Sequence, residues 1–266
     1  MSSYLLTNAA AQTGARFDAL ARTYDPASTR ALTAAGIGPG WRCWEVGGGG
    51  GTIAAWLAEQ VGPTGSVLVT DIDPRWMDQL TGRANVVLRQ HDVVHDELPA
   101  GGLDLIHARL VLLHLPQRHL VLDRLTSCLR PGGRLVVEDF DCEGPLVLTT
   151  PSRPGAEEIF EMVHGAFLGL LRDRGADPGW GRSLPDALRD HGLCDVVTTT
   201  HSVPWRGGRP GIDLHRVNVQ QLAGQLSAAG VADEHLAWFL ALLDDPEFAV
   251  RSYPLVSATG RRGTPC

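Results

Sequence analysis

From Trp41 to Phe140 the chain alternates short apolar runs with longer stretches of helical period. That alternation restricts the fold more than any other feature. "RCWEV" reads as a strand. "TIAAWLAEQV" reads as a helix with Ile53, Trp56, Leu57 and Val61 on one face. "GSVLVTD" is a second strand, followed by "PRWMDQLTG", a helix opened by Pro74 and closed by Gly82. "NVVLRQHD", "LDLIHARL" and "GGRLVVEDF" supply three more strands, the last two separated by the helix "PQRHLVLDRLTSCL". Strands that alternate with helices pair in parallel, because each crossover returns the chain to the same end of the sheet. The expectation is an α/β fold with helices on both faces of a Rossmann-like sheet.

After Phe140 the rhythm changes. Residues 141–156 read as loop, 156–174 as helix, "SLPDALRDHG" as helix and "DVVTTTHSV" as a sixth strand. Residues 212–244 read as two helices, and "FAVRSYPLVSATGRR" as one final strand. The first forty residues are helical and amphipathic, with Phe17, Leu20 and Ala21 on one face, and read as a lid.

Five consecutive glycines, Gly47 to Gly51, stand between the first strand and its helix. In open parallel sheets ligands bind at the carboxyl ends of the strands, so this turn is where a backbone approaches a ligand and a helix N-terminus offers free N–H groups. Two patterns fit. The relaxed dinucleotide form G-x-G-x-x-A fits as Gly49, Gly51 and Ala54. E-x-G-x-G-x-G fits in full as Glu45, Gly47, Gly49 and Gly51. Asp71 ends the second strand twenty residues on, where a carboxylate accepts both hydroxyls of a ribose. Asp73, before Pro74, reads as a helix cap.

With "VLVTDIDP", "LRQHDVV", "LDLIHARLVLLHLP" and "LRPGGRLVVED" following in order, residues 40–140 resemble the class I S-adenosylmethionine-dependent methyltransferases. "ARFDALARTYD" and "SYPLVSATGRR" are similar to segments of actinobacterial, natural-product members. The resemblance implies a seven-stranded sheet with one antiparallel strand. It implies an N-terminal helical lid (1–40), an S-adenosylmethionine-binding core (41–140) and helical cap insertions with the last two strands (141–266), all one domain. It also implies S-adenosylmethionine as cofactor and S-adenosylhomocysteine as product. On this reading Ile72 lies under the adenine, while Asp92 and the backbone of Val93 read its edge. Arg109, Arg16 and Tyr4 are candidates to meet the methionine end.

Methyl transfer from a sulfonium needs alignment and exclusion of water, with a base only where the acceptor must lose a proton. Glu138 and His114 are the candidate bases. His164, Trp180 and His215, from the cap, are candidates to touch the acceptor. Trp205, Trp238, Phe160, Phe167 and Tyr253, together with Met162, make the cap rich in aromatic and apolar side chains, which suits a flat or apolar small molecule.

Composition narrows the alternatives. Every one of the 23 Lys/Arg positions is arginine, which rules out Schiff-base chemistry, a GK[ST] phosphate loop and a Tyr-x-x-x-Lys dehydrogenase. The formal net charge of −7 argues against nucleic acid or an anionic membrane as partner. Five scattered cysteines without zinc spacing read as reduced thiols of a cytoplasmic protein, and no metal site is expected. The expectation is a monomeric or homodimeric methyltransferase of a small metabolite in secondary metabolism, extending to C-methylation of an indole-type ring. The alternatives are an NAD(P)-dependent oxidoreductase and a non-catalytic S-adenosylmethionine-binding protein.

Overall fold

The computed structural model describes residues 5–6, 11–144, 146–150 and 154–263. Helix α1 (Thr13–Ala34) precedes β1 (Arg42–Val46), α2 (Thr52–Val61), β2 (Ser66–Asp71), β3 (Val86–Gln90) and β4 (Leu103–Arg109). Then come α3 (Arg118–Cys128), β5 (Leu129–Phe140), β6 (Val147–Thr149), α4 (Ala156–Arg172), α5 (Trp180–Asp190), β7 (Leu193–His201) and β8 (Pro204–Arg206). The chain ends with α6 (Asp213–Ala228), α7 (Asp233–Leu242), β9 (Ala249–Arg251) and β10 (Leu255–Arg262).

Seven strands form one sheet in the order β3-β2-β1-β4-β5-β10-β7. β1, β2, β3, β4 and β5 pair in parallel, and β10 runs antiparallel to both β5 and β7. The carboxyl ends of β1, β2, β4 and β5 therefore open on one edge. α2 closes one face by burying Ile53, Leu57 and Val61, about 1.5–3 kcal/mol for each side chain taken from water. α3 and α5 close the other with Val121, Leu122, Leu125, Leu184 and Leu188. A separate apolar cluster joins α4, α6, α7 and the inner side of α1 above the strand ends.

Some elements depart from the sequence pattern. The helix expected over 74–82 is a single 3₁₀ turn at Asp78–Leu80. Only Met77 and Leu80 are buried there, which is too little apolar surface to hold a short helix. Gln79 is also drawn away to the Gly50 carbonyl. The single final strand is two. β9 pairs with β6 and β8 in a three-stranded sheet, and β10 enters the main sheet. The break is at Ser252–Pro254, where Ser252 N–H donates to Val203 O (2.8 Å) and proline has no N–H to give. It turns Tyr253 toward the strand ends. β6 lies in what reads as loop, because three residues carry no periodicity.

Candidate active site

The glycine run is explained by its surroundings. Gly47, Gly49 and Gly51 have φ of +70°, +53° and +80°, the left-handed region that other residues enter at a cost. Gly48 has no room: a Cβ would lie 2.6 Å from Val69 and 2.8 Å from Met77. At Gly49 and Gly50 a Cβ would press on Phe17 of α1, at 3.3 and 3.2 Å. The turn is pinned to the sheet by Gly47 and Gly48 N–H, which both donate to Thr70 O (2.7 and 3.0 Å). No side chain caps α2, so its first N–H groups remain for a ligand.

The turn borders a cavity of about 1080 Å³ at the strand ends. Glu45, Gly47, Gly49, Asp71, Ile72, Asp92, Val93 and Arg109 all line it. Asp71 is 8% exposed, and its carboxylate accepts from Gly49 N–H (3.0 Å) and Asp73 N–H (2.9 Å). Burial raises its pKa from the usual value, against those backbone bonds. Asp92 accepts from Val94 N–H (2.9 Å), which sets the loop after β3. His91 donates from Nε2 to Glu97 O (3.0 Å), leaving a buried Nδ1 without a partner at the cavity wall. The wall thus combines a backbone cradle, a buried carboxylate bonded to it and further polar groups beyond.

Below the turn lies an ion network that single-residue motifs do not reveal. His107, within β4, is fully buried between Glu45 Oε2 (Nδ1, 2.6 Å) and Glu138 Oε2 (Nε2, 3.1 Å). Burial opposes its charge, but the Glu45 carboxylate and the bond to Glu138 outweigh that and raise its pKa to about 9. Ser257 of β10 donates to the other oxygen of Glu138. Burial pushes Glu138 up, yet its bond to His107 holds it below the ordinary value. Glu45 alone of the three reaches the cavity. The register that pairs Glu45 with His107 and Arg109 with Glu138 aligns these side chains across three strands.

Several expected site residues are elsewhere. Glu138 is fully buried and occupied by His107 and Ser257, so it is not a base for the acceptor. Trp180 packs in the sheet–helix core, edge-on to His119 and under Arg118, away from the cavity. His215 is buried behind Tyr253, whose hydroxyl lies 3.1 Å from its Nδ1. His164 faces a second, smaller cavity beside Phe160 and stacks on Tyr253. Arg109 borders the main cavity but donates to Asp25 Oδ1 (2.8 Å) and Ser28 Oγ (3.0 Å), so it ties α1 to the sheet. Tyr4 lies outside the described residues.

The opposite wall holds what remains for an acceptor. His114 lines it, and burial, aided by Arg16 and Arg118, lowers its pKa to about 3, so its imidazole is neutral. Arg16 is 3% exposed, borders the cavity and donates to Gln221 Oε1 (2.9 Å). Phe140, Phe167, Leu171, Leu214 and Tyr253 make the rest apolar, with Asn218 among them. Of the cap aromatics, Phe167 and Tyr253 face the space; Phe160 and Trp205 are core, and Met162 is exposed. Among the described residues no His/Cys/Asp/Glu group could hold a metal ion, and no helix is long and apolar enough to cross a membrane. The four described cysteines are free thiols.

A parallel sheet with this glycine turn, a carboxylate at the end of β2 and another after β3 is a Rossmann-like arrangement. The antiparallel β10 between β5 and β7 departs from the dinucleotide order 3-2-1-4-5-6. Residues 44–135 match the family described as a methyltransferase domain. Methyltransferase str3 of Strobilurus tenacellus is 32% identical over 161 residues, 58% of this chain and 53% of that protein. The ubiquinone/menaquinone biosynthesis C-methyltransferase UbiE of Laribacter hongkongensis is 25% identical over 197 residues, 72% of this chain and 76% of that protein. The chain thus spans about half the length of the Strobilurus relative. Among solved structures, a Haemonchus contortus phosphoethanolamine N-methyltransferase 2 with bound phosphomonomethylethanolamine and S-adenosylhomocysteine has a TM-score of 0.61 at 11% identity, covering 99% of this chain and 61% of that one. A Bacillus halodurans methyltransferase has a TM-score of 0.58 at 16% identity, covering 89% and 98%. Residues 44–135 thus match a methyltransferase domain, and the chain shares the fold of these two methyltransferase structures.

Proposed function

We propose that the protein transfers a methyl group from S-adenosylmethionine to a small, flat, largely apolar metabolite. One observation carries the reading: a single cavity has the glycine turn, Glu45, Asp71 and Asp92 on one side and an apolar, aromatic wall on the other. Its volume of about 1080 Å³ leaves space for a nucleoside and an acceptor together. The bound cofactor supplies a methyl group already activated by its sulfonium charge. The chain's own residues bind, align and exclude water. Asp71 holds the ribose, Ile72 and Val93 bracket the adenine, and Asp92 accepts from its amino group. Glu45 faces the ammonium and Arg16 the carboxylate of the methionine end. Phe17 shuts the turn from solvent.

A strong base is absent from this arrangement, since Glu138 is sealed off and His114 is held neutral. That suits an acceptor atom that is nucleophilic without prior deprotonation, such as an electron-rich ring carbon. The C-methyltransferase relative supports the same choice. Neutral His114 then hydrogen-bonds the acceptor, or takes the strongly acidic proton that the cationic ring carries once its carbon has been methylated.

Calorimetric titration with S-adenosylhomocysteine, beside NADH and NADPH, tests the reading. Micromolar binding of the thioether alone, lost in Asp71→Ala, is expected. Binding of a nicotinamide cofactor in its place would overturn it.

A further inference from the structure

Asn218 is 5% exposed, sits in the middle of α6 and lines the cavity. Its Oδ1 is buried without any hydrogen-bond partner. It shares a helix face with Leu214, four residues before it, and Leu222, four after, both buried apolar side chains. A carboxamide on such a face is costly to desolvate and leave unbonded. A leucine would fill the same space without that penalty. Polar groups that break the local rules of a core mark functional sites.

The neighbours define what the amide meets. Phe140, Cys142, Phe167, Leu171, Leu214 and Tyr253 line the cavity with Asn218, and Arg16, bonded to Gln221 of α6, and His114 border it too. The Tyr253 hydroxyl is turned away to His215. Asn218 is therefore a polar side chain set among apolar neighbours. A hydroxyl brought against this face meets the carboxamide.

Resting on the methyltransferase reading above, we infer that Asn218 binds the acceptor, and that the acceptor is an aromatic molecule carrying a hydroxyl that its carboxamide engages. The hydrogen bond fixes the orientation of a ring that apolar contact alone would leave free to rotate, and so selects which ring atom meets the methyl group.

The test uses 2-naphthol and naphthalene, which differ by the hydroxyl, titrated into protein saturated with S-adenosylhomocysteine. Wild type is expected to prefer 2-naphthol about fivefold or more, the value of one neutral hydrogen bond. In Asn218→Leu the preference falls to about one, while affinity for S-adenosylhomocysteine is unchanged. The ligand-free variant also melts a few degrees higher, since an unbonded buried amide has been removed. A preference that survives in Asn218→Leu, a wild type that binds neither probe, or a variant that melts lower overturns the inference. Failure of wild type to bind S-adenosylhomocysteine is a separate result, and it overturns the methyltransferase reading itself.

Discussion

The imidazole of His107 lies 2.6 Å from the Glu45 carboxylate, on neighbouring strands directly beneath the glycine turn. His107 keeps its other nitrogen on Glu138, so one buried cation joins the carboxylate that faces the cofactor to one that does not. Such a group gives the protein a pH signature. The pKa of His107 rises to about 9 in the folded chain, against about 6.5 unfolded. The folded state then binds a proton that the unfolded state has released, so stability falls as pH rises from about 6.5 to 9. On the acid side His114, at about 3 when folded, refuses a proton that the unfolded chain takes up below about 6.5, so stability falls again as pH drops. Urea unfolding followed across pH is expected to peak near pH 6–7.

His107→Gln removes the cation and leaves two buried carboxylates facing each other. The loss is expected to be about 3–5 kcal/mol, that of breaking a buried pair. The alkaline decline of the wild type should disappear with it. A variant that unfolds with the wild-type pH profile would refute the assignment of that decline to His107.

Asp71→Ala is expected to weaken S-adenosylhomocysteine binding about 10- to 100-fold, one or two hydrogen bonds to a charged acceptor at about 1.5–3 kcal/mol each. Asp73, whose carboxylate pairs with exposed Arg75, is the control. Asp73→Ala should change affinity by less than about threefold, the worth of an exposed pair. Equal losses in both variants, measured by calorimetry, would show that the loop and not the Asp71 carboxylate is responsible.

Arg16 and Arg109 separate two roles that look alike in sequence. Arg109 is committed to Asp25 and Ser28 on α1, whereas Arg16 borders the cavity beside Phe17. Arg16→Gln should weaken S-adenosylhomocysteine binding by roughly tenfold and leave adenosine binding unchanged, because adenosine lacks the carboxylate. Arg109→Gln should instead loosen α1 and speed its proteolysis, with a smaller effect on affinity.

Gly48→Ala tests why the turn is glycine at a position of ordinary backbone geometry. Its Cβ would meet Val69 and Met77, and overpacking of this kind costs about 1–3 kcal/mol. A lower thermal midpoint is expected. An unchanged midpoint would mean that the β2 side of the turn has slack that the packing does not show.

The amino-acid order alone determined the alternation of strands and helices, the site of the glycine turn and the acidic residues at the ends of β2 and after β3. Each of these is written in neighbouring residues, by a period of 2 or 3.6 or by a fixed spacing along one segment. The tertiary structure decided the rest. Glu45, His107 and Glu138 meet only because three strands are aligned in register, and that alignment turned Glu138 from a candidate base into a buried partner. Arg109 meets Asp25 only once α1 folds over the strand ends. The final strand breaks at Ser252–Pro254 because a second small sheet claims its first half; Pro254 marks the break in the sequence, but not the strands that compete for it. Asn218 did leave a trace, an amide on the apolar stripe of α6, but its meaning depended on which face of that helix met a cavity. Charge, burial and hydrogen bonding between distant segments are properties of packing, and they are decided when the chain closes on itself.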